Sequence, residues 1–304
     1  MPSTRKTRRA GFAIPPWDRF RGFITQVPNA LWAISRIPAR ETRARILWTY
    51  LKISTKLGIR AFFPGRQGST ESMLESKIQL LDYRAFVDTF IEIFVRRDYA
   101  FEAKSDSPVI IDCGSNIGMS VFFFKYAYPN CRVIAFEPDP ETFQVLKTNA
   151  EMNQWGNVEL HNVAVFPTEG IIDFYSDPDR PGSLVMSTCR GRFSRGPDRP
   201  VTLHKVQARR LSPYIQEEVD FLKMDIEGIE TAVMEELAQC GKLRLIRQMV
   251  LEYHHHLDPE EDRLSGLLQL LEMHNFGYQF HVSTPRPFVK KTLQDILLYA
   301  YQRE

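Results

Sequence analysis

VIIDCGSNIGMS (109–120), followed ten residues later by CRVIAFEPDP (131–140), decides how this chain is read. The first apolar run ends in Asp112 and a glycine-bearing turn, and a helix-compatible stretch follows. The second apolar run ends in Glu137. Strand, turn, helix, strand and acid make up half of a nucleotide-binding α/β unit. The turn lets a ligand approach the backbone at a helix N-terminus, and the acid after the second strand reaches ribose hydroxyls.

The glycine pattern selects the nucleotide. A dinucleotide fingerprint needs Gly-x-Gly-x-x-Gly, with a glycine where the pyrophosphate lies against the helix. Here the run is Asp112-Cys113-Gly114-Ser115-Asn116-Ile117-Gly118, one glycine short and opened by an acid. A carboxylate there repels a pyrophosphate and suits a cationic ligand. S-adenosylmethionine carries a sulfonium and an ammonium and no phosphate, so these residues favour a methyl donor over NAD. A nicotinamide-dependent oxidoreductase is the competing reading.

Around this unit, apolar runs predict strands at 108–112, 132–136, 158–163, 219–224, 247–252, 276–282 and 294–301. Helices are predicted at 117–127, 139–152, 229–239 and 260–274, with a further strand at 77–82 and a helix at 84–97. Strands separated by helices imply a parallel sheet covered on both faces. The last two strands, joined only by the loop around Pro285 and Pro287, imply an antiparallel hairpin at one edge. The expected fold is α/β: a doubly wound, mostly parallel seven-stranded sheet of Rossmann-like type with an N-terminal helical extension. Residues 176–200, rich in Pro, Gly, Asp and Arg, read as a long binding loop or lid.

In an open parallel sheet, ligands bind beyond the carboxyl ends of the strands where the strand order reverses. Five predicted strand ends carry polar groups: Asp112 with Gly114, Glu137, Asn162, then Asp225 and Glu227 in FLKMDIEGIE, and Glu252 with His254–His256 in VLEYHHH. Glu137 is read as the ribose acceptor, because Asp139 already serves as N-cap for the helix that follows. Asn162 is either an adenine contact or a turn residue. Asp225 can orient a hydroxyl, take its proton or hold a metal. His254 is the base better matched by ordinary pKa. Residues 254 and 256 share a face if the strand continues. No third ligand stands at a metal-site spacing, so no metal is expected.

These residues bring a family into view. From about residue 77 to 301 the chain resembles the FkbM-type S-adenosylmethionine-dependent methyltransferases, which act mainly on hydroxyls of natural products and glycans. The resemblance rests on IDCGSNIG (111–118), AFEPDPETFQVLKTNAEMN (135–153), VELHNVAV (158–165), the GSL of RPGSLVMS (180–187), VDFLKMDIEGIE (219–230) and VLEYHH (250–255). It implies a class I methyltransferase fold. It also implies cofactor roles for Asp112, Gly114, Asn116 and Glu137, joined by Gly118 of the same turn, and active-site placement for Asp225 and Glu227. Many other methyltransferases carry an acid where this chain has Asn162. Residues 1–75 inherit nothing, and the expected organisation is a basic, mostly helical extension over 1–75 and a methyltransferase domain over 76–304.

Charge separates the same two parts. Residues 1–66 hold 14 Lys and Arg against only Asp18 and Glu41, whereas residues 67–304 hold 25 against 35 acids. ETRARILWTYLKISTKLGIRAFF (41–63) places Ile46, Leu47, Tyr50, Leu51 and Leu57 at helical spacing with basic residues between them. Such a helix either packs on the enzyme or meets an anionic membrane surface. A catalytically silent docking protein is therefore a third reading. The basic segment lacks the interleaved aromatics of a strand-binding surface, so nucleic acid is not an expected partner. No apolar run reaches bilayer length, and Cys113, Cys131, Cys189 and Cys240 form no Cys-x-x-Cys pair. A cytoplasmic setting, peripheral to a membrane if the basic helix binds one, is expected. The acceptor and the oligomeric state are not legible.

Overall fold

The computed structural model describes residues 27–62, 70–177, 186, 201–255, 264–282 and 294–303. Of Pro64–Thr70, whose Pro, Gly and Ser residues read as a linker, only Thr70 is described, and it opens a strand; His256, Pro285, Pro287, Cys189 and nearly all of the loop expected at 176–200 lie outside the described residues. The chain forms two compact units, residues 1–67 and 68–304.

In the first unit, a helix at 27–35 (α1) precedes Arg40–Phe62 (α2). On α2, Ile46, Tyr50 and Ile53 are buried, as helical spacing demands. The opposite face carries Trp48, Leu51 and Ile59, all exposed. Leu51, expected on the packed stripe, lies on this outer face instead.

The second unit opens with a hairpin, Thr70–Met73 (β1) and Ser76–Gln79 (β2). Next comes Tyr83–Phe90 (α3), capped by Asp82 accepting from Ala85 N, and a π-helical turn, Ile91–Arg96. The helix expected at 84–97 therefore changes pitch midway. The widened turn buries three consecutive side chains, Ile93, Phe94 and Val95.

Seven strands then build one sheet. They are Val109–Cys113 (β3), Arg132–Phe136 (β4), Val158–His161 (β5), Val219–Met224 (β9), Ile246–His255 (β10), Phe276–Val282 (β11) and Gln294–Gln302 (β12), in the order β11-β12-β10-β9-β3-β4-β5. All pairings are parallel except those of β12, which runs against both β10 and β11. The central strands are apolar runs because helices cover both faces. The connecting helices are Met119–Ala127 (α4), Pro140–Met152 (α5), Glu230–Gln239 (α6) and Leu264–Met273 (α7). Asp139 caps α5, accepting from Thr142 N at 2.9 Å, with Pro140 at the first helical position. Strand order reverses between β3 and β9, so the crevice that can take a ligand opens beyond their carboxyl ends.

A second sheet was not expected from the sequence. Ala164–Val165 (β6), Gly170–Ser176 (β7) and Thr202–Arg209 (β8) pair in the order β6-β8-β7. The strand predicted at 158–163 ends at His161, and the chain passes to this other sheet at Ala164.

Candidate active site

The turn after β3 is held by its own hydrogen bonds. Gly114 N and Ser115 N both donate to the Phe136 carbonyl, at 3.0 and 2.9 Å. Asn116 N donates to Glu137 Oε2, Ile117 N to Asn116 Oδ1, and Gly118 N to the Ser115 carbonyl. All five consecutive N–H groups are thus spent inside the protein. Gly114 (φ +82°), Asn116 (φ 49°) and Gly118 (φ 92°) take left-handed backbone, which glycine and asparagine tolerate best. A Cβ on Gly118 would lie 2.7 Å from Leu146 Cδ1, so this glycine also lets α4 approach α5.

Asp112 lies beneath the turn rather than in the crevice. It is fully buried, accepts from Ser120 Oγ at 2.5 Å, and has Lys223 Nζ 3.6 Å from Oδ1. Lys223, 2% exposed, also donates to the carbonyls of Cys113 and Gly114 and stands 3.7 Å from Asp225 Oδ2. Burial works against its charge, but Asp225 and Asp112 outweigh it and its pKa is raised. The sequence reading missed this residue. Its signal was a single cation inside the apolar strand VDFLKM.

Glu137 is buried yet lines the crevice. Its two oxygens accept from Asn116 N and Asp139 N, both at 2.9 Å. Burial pushes its carboxyl up to about 8, against the pull of these N–H donors. The crevice holds about 610 Å³ counting its open mouth, and Gly114, Asn116, Asp225 and Glu227 share its wall with Glu137. Val163, Phe174, Met186 and Ile229 make the wall largely apolar. Asn162 faces elsewhere: its amide donates to the carbonyls of Glu137 at 2.8 Å and Pro138 at 3.1 Å, pinning the end of β4.

The ends of β9 and β10 converge. His254 is buried near the end of β10, with Nε2 3.2 Å from Glu227 Oε2 and 3.9 Å from Asp225 Oδ1. Its Nδ1 is 3.3 Å from Glu230 Oε1. Antiparallel pairing sets Asp295 opposite His254, bringing Oδ1 to 4.0 Å from Nε2. Burial alone would lower the His254 pKa, but Glu227, Glu230 and Asp225 raise it well above the ordinary value. Glu230 accepts from Gly228 N at 3.0 Å and is held below the usual carboxylate range, the His254 contact outweighing burial. Glu227 (φ 62°) and Gly228 (φ 114°) are both left-handed, a kink that turns the Glu227 side chain back toward β10.

A seven-stranded sheet whose last strand is reversed and inserted between the fifth and sixth, with an acid-lined crevice at the switch point, defines the class I methyltransferase architecture. Residues 112–280 match the methyltransferase FkbM domain, and the chain belongs to that family. It is 29% identical over 158 residues to Methyltransferase 1 of Beauveria bassiana, covering 47% of this chain and 64% of that protein. It is 28% identical over 213 residues to the 31-O-demethyl-FK506 methyltransferase FkbM of Streptomyces tacrolimicus, covering 61% and 79%. It is 27% identical over 158 residues to the 2-O-methyltransferase NoeI of Sinorhizobium fredii, covering 46% and 61%. The match thus spans less than two thirds of the Beauveria and Sinorhizobium proteins.

Proposed function

We propose that this chain is an S-adenosylmethionine-dependent O-methyltransferase acting on a hydroxyl of a natural product or glycan. The observation that carries the choice of cofactor is the closed turn. With the N–H groups of residues 114–118 all donated internally, the turn itself presents no N–H to a phosphate. Glu137 nonetheless sits in the crevice with a free lone pair on each oxygen for ribose hydroxyls. This favours a nucleoside without phosphate over NAD. The O-methyl character is supported by the names of the Streptomyces and Sinorhizobium relatives.

S-adenosylmethionine, when bound, supplies a methyl group on a sulfonium sulfur, which leaves as a neutral thioether. Glu137 holds the ribose, and the apolar wall of Val163 and Phe174 takes the adenine. Asp225, 27% exposed at its side chain, orients the acceptor's hydroxyl oxygen toward the methyl group. Asp225→Asn should abolish methyl transfer to a hydroxyl acceptor while leaving cofactor affinity within about tenfold, because the lost contact is made chiefly in the transition state. Full turnover in that variant overturns the assignment.

We also propose that the first unit meets an anionic membrane surface. The supporting observation is the outer face of α2, where Trp48 is 65% and Ile59 56% exposed beside Lys52 and Lys56. Among the described residues, no helix is long and apolar enough to cross a membrane. A cytoplasmic setting fits the free thiols of Cys113 and Cys131.

A further inference from the structure

Three ligand-type atoms meet at the ends of β9 and β10. Asp225 Oδ1, Glu227 Oε2 and His254 Nε2 all lie within 4.8 Å of one another. The His254 side chain is 1% exposed, yet among the described residues its Nε2, 3.2 Å from Glu227 Oε2, makes no well-aligned hydrogen bond, and neither does Asp225 Oδ1. Leaving such atoms buried and unsatisfied is costly, so their convergence calls for something to bind. Behind the ring, Glu230 Oε1 holds Nδ1 at 3.3 Å and is itself fixed by Gly228 N. A carboxylate on one ring nitrogen, with the other aimed at acids, is how metal-binding histidines are oriented. Asp295 adds further negative charge at 4.0 Å.

We propose that Asp225, Glu227 and His254 form a divalent cation site opening on the crevice. Two carboxylate oxygens and one imidazole nitrogen suit a first-row transition dication such as Mn²⁺ better than Mg²⁺ or Ca²⁺, which prefer oxygen alone. Neighbouring ligands on an octahedral dication with bonds of about 2.1 Å stand about 3 Å apart. The 3.2 Å separation is close to this, and the other two, both within 4.8 Å, close on binding. Asp225 and Glu227 also line the crevice, so the remaining coordination positions face it.

The cation's part in the reaction rests on the methyl-transfer reading. It takes the acceptor's hydroxyl oxygen as a further ligand and acidifies it, and the proton leaves to water in the crevice. The oxygen then attacks the methyl carbon as the carbon–sulfur bond breaks, its electron pair going to sulfur. Asp225 in this case holds the oxygen through the cation rather than directly.

The test is Mn²⁺ titrated into the chelator-stripped full chain, with electron paramagnetic resonance counting free ion and electron spin echo modulation reading the bound ion's neighbours. One Mn²⁺ per chain is expected, with nitrogen modulation from an imidazole. His254→Ala should remove the nitrogen signal and weaken binding at least about tenfold. Glu227→Gln should weaken binding similarly and keep the signal, which covers a His254 variant that fails to fold. A folded full chain without saturable Mn²⁺ binding, bound Mn²⁺ without nitrogen modulation, or unchanged affinity in a folded variant overturns the site. Binding needs no acceptor, so a failure of the methyl-transfer reading leaves the site standing. Undiminished methyl transfer by the chelated protein overturns the cation's catalytic part.

Discussion

A methyl carbon added to Gly114 would lie 1.9 Å from the carbonyl oxygen of Asp225. The turn after β3 and the end of β9 are therefore packed backbone to backbone at the point where strand order reverses. Asp225 N donates to the Cys113 carbonyl at 3.1 Å across the same contact. The glycine thus serves the closure of the switch point as well as any ligand.

Gly114→Ala meets two penalties, a left-handed φ of +82° and an immovable backbone atom. We expect a loss of about 3 kcal/mol or more, the sum of backbone strain and overpacking. Urea unfolding midpoints measure it; a wild-type midpoint contradicts the packing argument.

Lys223→Met removes the cation between Asp112 and Asp225 and strands a fully buried carboxylate. The expected cost is about 3–5 kcal/mol. Adding Asp112→Asn to the same chain should recover part of it. If the double variant is no more stable than the single, the two side chains are not coupled.

Much of this site was legible along the chain, and the reasons are local. Apolar runs ending in polar residues marked the ends of β3, β4, β9 and β10, because a strand buried on both faces must turn polar where it leaves the sheet. Asp139 as a cap and Glu137 in the crevice followed from spacing alone. What escaped was set by pairing between distant segments. Lys223 is a lone cation in an apolar run along the chain, and its partner Asp112 shows only when β3 and β9 are laid side by side. The meeting of His254 with Glu227, Glu230 and Asp295 depends on the register of β10 against β9 and β12. The second sheet joins β7 to β8 across 25 intervening residues, a pairing no local pattern announces.

Glu137 should make stability and cofactor affinity depend on pH in opposite senses. Its folded pKa of about 8 exceeds the ordinary 4.5, so the folded state holds a proton that the unfolded state releases. Its contribution to stability is complete below about 4.5 and falls as pH rises toward 8. A ribose acceptor works best ionised, so affinity for S-adenosylmethionine should rise across the same window. Glu137→Gln should flatten both profiles; melting curves and titrations between pH 5 and about 9 check this, and an unchanged pair of slopes contradicts it.

The outer face of α2 predicts cosedimentation of the full chain with anionic vesicles at low salt, fading as salt screens its Lys and Arg residues. Trp48→Ser together with Ile59→Ser should abolish it by removing the apolar contact. A full chain that stays in the supernatant at low salt rules the surface out.

Calorimetric titration of the full chain with S-adenosylmethionine and, separately, with NAD tests the central claim most directly. Saturable binding of S-adenosylmethionine is expected, weakened in Glu137→Ala by about 1–3 kcal/mol through loss of the hydrogen bonds to ribose, with no binding of NAD. Binding of NAD in preference, or an affinity for S-adenosylmethionine unchanged by Glu137→Ala, would contradict it.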